Sequence, residues 1–489
     1  MSTEIKEIRH GKQQSFEVDV KIGNSRYYSG SLSINKEGAT LEVYGEVIGN
    51  ECIITYNQLR GENIEYVSCV DSWHLFHLYD LTVFRFNQRT IHGADGRQSF
   101  HIVFSVRYFY VSKEHPGSRY QHEEFSSIIF HSPIITKWLG ITEKQLRIFR
   151  NAVNTRLPTS DIDLRYEFGV DATENISLTV HYKGEWRQDP NHHCITSEYP
   201  PYLAVYFRKK YPCFNEIKQI TTEILSLFYV LTGQPVVIEK AFLSSSRGTH
   251  ELPYYFSESP TMENEIRNKD ILVPFNTNSP FHKEEEEIFP VEIFKKYFNL
   301  NDKGRDIYRK FYIYDNMNNV EEKFLGLFRI VERLSYIESS YVDDSILEPL
   351  LDKLREQLTN ASVKNKYAKK LTERFRKVNR QKIPAQSAIL GFMRSLSDDI
   401  YERISHLEKD IIRIVELRND ITHCKSYSLR EKEFERFNLI LNYLCYLLLW
   451  REIGLSSHSK YSGLINSIKY SGLILSMKGT GSALESGQN

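Results

Sequence analysis

Through the first third of the chain, apolar and polar residues alternate. Phe16, Val18, Val20 and Ile22 occupy every second position, and Leu32 with Ile34, then Leu41 with Val43, repeat the pattern. Gly23-Asn24, Gly30 and Lys36-Glu37-Gly38 lie between these runs. A period of two marks a strand with one buried face, and the glycine-containing breaks are turn signals, so short antiparallel strands are predicted. The runs Leu81-Thr-Val-Phe-Arg-Phe, His101-Ile-Val-Phe-Ser-Val-Arg-Tyr-Phe-Tyr-Val and Ile176-Ser-Leu-Thr-Val-His-Tyr continue the theme. Their spacing predicts a β-rich domain over residues 1–195, sandwich-like or an open barrel.

From about Pro212 the period becomes helical. Ile217, Ile220, Ile224, Leu227 and Leu231 fall on one face, and Gly233-Gln-Pro235 supplies a stop. Polar stretches follow, Ser244-Ser-Ser-Arg-Gly248 and Glu284-Glu-Glu-Glu287 among them. Residues 196–317 therefore read as a helical and irregular extension packing on the first domain.

Beyond Asn318 the pattern predicts a helical bundle over residues 318–456. Phe324, Leu327, Phe328, Val331, Leu334 and Ile337 form one face of its first long helix, and Phe434, Phe437, Leu441, Leu444 and Leu448 one face of its last. Between them the spacing predicts a helix near Ile346–Leu358, a basic one near Lys364–Val378, a short one after Pro384, and one from about Asp398 that ends in Arg418-Asn419-Asp420-Ile-Thr-His423. The fold class is thus α+β, an antiparallel β-rich domain followed by an all-α bundle.

Composition narrows the function classes. Lys plus Arg and Asp plus Glu both number 63 in 489 residues, so only local patches can argue for a polyanionic partner. With 31 tyrosines and 28 phenylalanines the chain has the aromatic content of a folded protein. Its six cysteines include no CxxC pair, which fits neither a disulfide framework nor a structural zinc site. The polar N-terminus lacks a signal-peptide core, and no run of about 18 apolar residues occurs. A cytoplasmic protein without a membrane span, and without cofactor or metal, is expected.

One motif names a chemistry. Cleaving RNA without a metal needs a proton acceptor or donor near the 2′-hydroxyl or the leaving oxygen, and a cation for the charge that builds on phosphorus. His423, with an ordinary pKa of roughly 6.5, can serve as the acid/base. Arg418 offers a bidentate fork for phosphate oxygens, and Asn419 can hold the phosphate or orient the imidazole. Asp420 could tune His423 or pair with a surface lysine. Glu332 is a weaker candidate for an inward-facing site residue, with a surface salt bridge as its plainer role. An Arg and a His at a helix end can also simply satisfy terminal carbonyls and complement the helix dipole. Residues five apart on an unbroken helix differ by about 140°, so either the helix ends near Asp420 or two motifs meet across an interface.

Arg418-Asn419 followed by His423, in a helical bundle, resembles the signature of the HEPN superfamily of RNases and RNase-derived domains. Upstream, Tyr28-Ser-Gly-Ser-Leu-Ser-Ile, Leu41-Glu-Val-Tyr-Gly, the region around Leu59-Arg-Gly61 and Ile224-Leu-Ser-Leu-Phe-Tyr-Val-Leu-Thr-Gly-Gln-Pro-Val are similar to the N-terminal domain of ApeA-type abortive-infection proteins. The resemblance covers most of the chain. It implies an anti-phage endoribonuclease acting by 2′-hydroxyl attack, with 2′,3′-cyclic phosphate and 5′-hydroxyl products. It also implies a homodimer with both motifs in one cleft, and an N-terminal domain that senses a phage-derived trigger or restrains activity. The alternative is a non-catalytic HEPN-like dimeriser whose β domain binds a phage component or nucleic acid.

A second feature could serve RNA. Lys364, Lys366, Lys369, Lys370, Arg374, Arg376, Lys377, Arg380 and Lys382 are opposed only by Glu373, a basic block able to track phosphates or simply to form a solvated helix face. His74-Leu-Phe-His77 and His192-His193-Cys194 lack partner pairs at metal-ligand spacing and read as buried or loop histidines. No Walker A, GxSxG or GxGxxG sequence is present. Residues 457–489 contain a nine-residue duplication, Lys460-Tyr-Ser-Gly-Leu-Ile and Lys469-Tyr-Ser-Gly-Leu-Ile, and are expected to form a poorly ordered tail.

Overall fold

Strand pairing closes the first six strands into a ring. The structure, a computed structural model, describes residues 8–10, 12–22, 26–35, 38–48, 61–90, 97–112, 124–154, 166–189, 194–246, 251–257, 271–275, 289–336, 342–379, 384–428 and 431–455. The expectations for Glu284–Glu287, His192, His193, Ile337, Arg380, Lys382 and the tail lie outside these residues. The chain forms two compact units, Met1–Asn301 and Asp302–Asn489.

In the first unit the ring contains β1 (Gln14–Ile22), β2 (Arg26–Asn35), β3 (Gly38–Ile48), β4 (Ile64–Val70), β5 (Leu75–Thr90) and β6 (Arg97–Ser112), paired in the order β3-β2-β1-β4-β5-β6. The circuit closes because β3 also pairs with β6, from Ala39↔Val106 to Ile48↔Arg97. The result is a small antiparallel barrel, not the expected sandwich or open barrel. Closure removes the two edges that a sheet of these strands would leave unpaired.

The alternation read from the sequence fills the barrel. Phe16 lies opposite Leu32, Leu32 opposite Leu41, and Leu41 opposite Phe104, and all four are buried, so one row of side chains crosses four strands. In the next row Gly30 stands between Val18 and Val43. A β-carbon there would lie 2.5 Å from the carbonyl oxygen of Glu42, so only glycine lets the strands approach this closely.

Beyond Val106, β6 parts from β3, keeps β5 along one edge and takes a new strand along the other, and so continues into a second antiparallel sheet. That sheet adds β7 (Phe125–His131), β8 (Tyr166–Asp171), β9 (Ile176–Tyr182), β12 (Pro201–Phe207), β13 (Lys240–Ser245) and β14 (Glu251–Phe256), in the order β6-β14-β13-β7-β12-β9-β8. A separate hairpin is formed by β10 (Glu185–Asp189) and β11 (Cys194–Glu198). The β13–β14 pair joins ring to sheet, yet β13 ends in Ser244 and Ser245, inside the Ser-rich segment that reads as irregular. Its two strands take their stability from neighbours on both sides rather than from their own pattern.

Three helices belong with this sheet, α1 (Pro133–Leu139), α2 (Glu143–Asn154) and α3 (Phe214–Thr232). The last is the helix predicted after Pro212, and it ends as expected at Gly233, in the left-handed conformation at φ 69°. Buried Trp138 of α1 stacks edge-on against Phe228 of α3 and Phe289, with ring centroids 5.0 and 5.2 Å away. A short helix, α4 (Glu292–Asn299), completes the unit.

Among its described residues the second unit has helices and no strand: α5 (Asp302–Asp315), α6 (Val320–Ser335), α7 (Asp344–Asn360), α8 (Asn365–Asn379), α9 (Ala385–Arg394), α10 (Asp398–Ile404), α11 (Glu408–Thr422) and α12 (Glu431–Glu452). α12 is buried on all sides from Ile440 to Trp450, as suits the central helix of a bundle, and α6 packs along it. Among the described residues no helix is long and apolar enough to cross a membrane.

Two elements differ from the periodicity. The unit opens with α5, ahead of the helix expected at Asn318; its Tyr308 hydroxyl donates to the Leu449 carbonyl at 2.9 Å, and contacts of this kind leave no simple apolar repeat. The helix expected from Asp398 to the Arg418 motif is broken by a 3-10 turn at Ser405–Leu407. Ile404, Leu407, Ile411 and Ile414 are all buried across the break. Their spacing is preserved through the tighter turn, which is why the break is invisible in the sequence.

Candidate functional site

α11 and α12 form an antiparallel pair fastened by two ion pairs, Arg436 with Asp410 at 2.7 Å and Arg413 with Glu433 at 3.0 Å. Ile411, Ile414 and Leu417 bury the inner stripe of α11. Arg418 follows Leu417 and therefore sits at the border of that stripe, half-buried, where it reaches α6.

Its guanidinium is held on three sides. Nη2 donates toward the Glu332 carboxylate, at 3.2 Å from Oε2 and 3.4 Å from Oε1. Nη1 donates to Oδ1 of Asn419 at 3.0 Å. The guanidinium carbon lies 5.3 Å from the centroid of the Phe328 ring, a cation–π contact with a residue that is itself fully buried. Phe328 and Glu332 are one turn apart on α6, so a single face of that helix supplies both the platform and the counter-charge. Phe328 was legible in the sequence only as a core residue; its role beneath Arg418 needs the packing of α11 on α6.

The C-terminus of α11 is fixed by backbone geometry. The His423 N–H donates to the Asn419 carbonyl at 2.9 Å, the Cys424 N–H to Ile421 at 3.1 Å and the Lys425 N–H to Asp420 at 2.9 Å. The last two bonds, around a residue at positive φ, make a Schellman motif, which satisfies carbonyls that the helix end would leave bare. Cys424 takes the position usually held by glycine, with φ 52°. His423 is thus the last residue before the chain turns away, and its side chain is exposed. Among the described residues its ring has no hydrogen-bond partner.

The helix runs through Thr422 and ends two residues past Asp420, with His423 as its cap, so the bend that follows comes too late to bring His423 round to the side of Arg418. Arg418 and His423 leave the axis about 140° apart. Asp420 pairs with Lys425 at 3.4 Å, the surface-lysine partnership rather than a contact with the imidazole.

The basic block is divided by α8. Lys366, Lys370, Arg374 and Lys377 lie along one exposed stripe and Lys369 is exposed elsewhere. Arg376 is engaged by Glu348 of α7 through two bonds of 2.8 and 2.6 Å, and is a structural clasp. Nothing in the described residues brings this helix to Arg418. The two histidines of His74-Leu-Phe-His77 are structural: His74 pairs with Asp71 at 3.0 Å, and buried His77 is bonded by the Tyr66 and Ser112 hydroxyls. Among the described residues no group of three or more His, Cys, Asp or Glu side chains is placed to hold a metal ion.

No protein-family model, curated protein or solved structure matches the chain.

Proposed function

We propose that the second unit is a metal-independent endoribonuclease of the HEPN type and that the protein is an anti-phage abortive-infection effector. In this reading the first unit senses a trigger or restrains the nuclease. The observation that carries it is the pairing of a guanidinium held from three sides with an exposed imidazole fixed at the end of the same helix.

The chemistry asked of these groups is modest. The 2′-oxygen attacks phosphorus as an imidazole takes its proton; the P–O5′ bond breaks, its electron pair leaves on O5′, and an imidazolium returns a proton there. Arg418 balances the extra negative charge of the phosphorane, and Asn419 orients the guanidinium. One chain presents Arg418 and His423 on different sides of α11, so the reading requires a homodimer whose cleft combines both motifs across a two-fold axis. A chain held as a monomer is expected to turn over poorly.

Purified protein and His423→Ala are incubated with total cellular RNA without divalent metal, and product ends are analysed. Cyclic-phosphate ends from the wild type alone support the assignment. Equal cleavage by His423→Ala removes it.

A second reading draws on the same ion pair. Glu332 already neutralises Arg418, as it would in a non-catalytic, dimerising relative of such nucleases whose β domain does the binding. Folded Arg418→Lys protein separates the two, because an inert scaffold loses nothing from that change.

A further inference from the structure

α7 and α8 form an antiparallel hairpin whose register is set by three polar clasps. Asn379 exchanges two hydrogen bonds with the backbone of Val342, 2.8 and 2.9 Å long, Arg376 forks onto Glu348, and Arg355 donates to Asn365 at 3.1 Å. The start of α7 therefore lies beside the end of α8.

The surface of α8 is arranged as three parallel stripes. Ala368, Thr372 and Asn379 are buried against α7. One residue earlier in each case, Tyr367, Leu371 and Val378, joined by Phe375, form an apolar row spaced i, i+4, i+8, i+11. One residue earlier again, Lys366, Lys370, Arg374 and Lys377 form a basic row about 100° further round. The helix thus buries its small and polar stripe and leaves its large apolar one outside.

α7 adds Ile346 and Leu350, and these six apolar side chains are between 39% and 60% exposed. The Arg376–Glu348 clasp occupies one side of the seam, so the two apolar rows lie together on the other. The largest apolar patch on a typical monomer covers about 300–600 Å² and is often functional. Six large side chains on two helices make a patch of that kind.

We infer that this face docks an acidic amphipathic helix of a partner protein. Two antiparallel helices about 8–10 Å apart, each with an apolar row on the same side, leave the groove into which a third helix packs. Glu373 is the only carboxylate of α8 and lies beyond the basic row, away from the apolar one, so the rim calls for negative charge. Two copies meeting through this same face would set one basic row against another, since the outer edge of α7 offers Lys353 and Glu356, which cancel. RNA fits the rim but not the floor, because four of the six floor residues are aliphatic and give bases nothing to stack on. This inference is independent of the nuclease reading.

The test uses the full-length protein and a fluorescent designed peptide, helical by composition, with leucines along one face and glutamates along its flank. A second peptide carries lysines in place of the glutamates. The acidic peptide is expected to bind at least about tenfold more tightly than the basic one, and Leu371→Ala with Phe375→Ala to weaken it by a similar factor. Lys370→Glu with Arg374→Glu should reverse the preference, a gain of binding that misfolding cannot imitate. Equal binding of the two peptides, or none, overturns the inference. So does binding confined to 2′-O-methyl RNA, to phosphatidylserine vesicles or to a second copy of the chain.

Discussion

Glu332 and Arg418 meet across the α6–α11 interface with Nη2 3.2 Å from Oε2, while Phe328, one turn before Glu332, lies beneath the same guanidinium. The carboxylate is 38% exposed and the guanidinium 29%, so the pair adds no more than about 1 kcal/mol to stability and acts chiefly to orient the fork. A phosphate entering the site has to share Arg418 with Glu332 or displace it.

That geometry separates Arg418→Lys from a simple loss of charge. Lysine keeps the cation but cannot stack its plane on Phe328 while bonding both Glu332 and Asn419. Under the proposed function the variant loses at least about 100-fold in RNA cleavage, on the scale of a missing charge-stabilising donor. Its urea midpoint should stay close to wild type. Full activity in a folded Arg418→Lys protein excludes a catalytic role for the guanidinium.

Cys424 holds a backbone conformation that suits glycine. A side chain in the left-handed region is strained by about 1–2 kcal/mol, and glycine returns part of that as unfolded-state entropy. Cys424→Gly should therefore stabilise the protein by up to about 1 kcal/mol in urea unfolding. Cys424→Val should destabilise it, because a β-branched residue tolerates positive φ still less. The reverse order of stabilities is incompatible with the Schellman geometry at His423.

Gly326 of α6 faces Tyr314 of α5 so closely that a β-carbon would collide with the ring. Gly326→Ala should cost about 1–3 kcal/mol through overpacking, despite alanine's better helix propensity. Adding Tyr314→Leu should recover part of the loss. A neutral or stabilising Gly326→Ala result is incompatible with this close approach of the two helices.

Acid should weaken the first unit through His77. Burial pushes its pKa down to about 4, while the unfolded chain keeps roughly 6.5, so the unfolded state binds the proton more readily. The stability due to a neutral His77 is fully present above pH 6.5, declines as pH falls toward 4, and changes little below that. Over this window the loss is on the order of 3 kcal/mol. His10 is displaced in the same direction by burial, so a single variant removes only part of the slope. His77→Gln should reduce the difference in unfolding free energy between pH 7 and 4.5; an unchanged slope places the proton uptake elsewhere.

The repeat of two in Phe16, Val18 and Val20, and the repeat of 3.6 in Phe324, Leu327 and Val331, located the β and α regions because burial of one face imposes those periods locally. The same local logic found α3 and its Gly233 stop, and placed Arg418 and His423 at the end of a bundle helix. It could not close the barrel, since the β3–β6 pairing joins residues about sixty positions apart and leaves no mark on either strand's pattern. Nor could it distinguish the buried stripe of α8 from the exposed one, because packing on α7 chose Ala368 and Thr372 over the more apolar Leu371 and Phe375. Chemistry divides in the same way. The residue types at 418, 419 and 423 are a property of the sequence, whereas the three-sided grip on Arg418, the strained turn after His423 and the clasp that removes Arg376 from the basic row exist only where separate helices meet, since hydrogen bonds and stacking depend on distances that no linear spacing encodes.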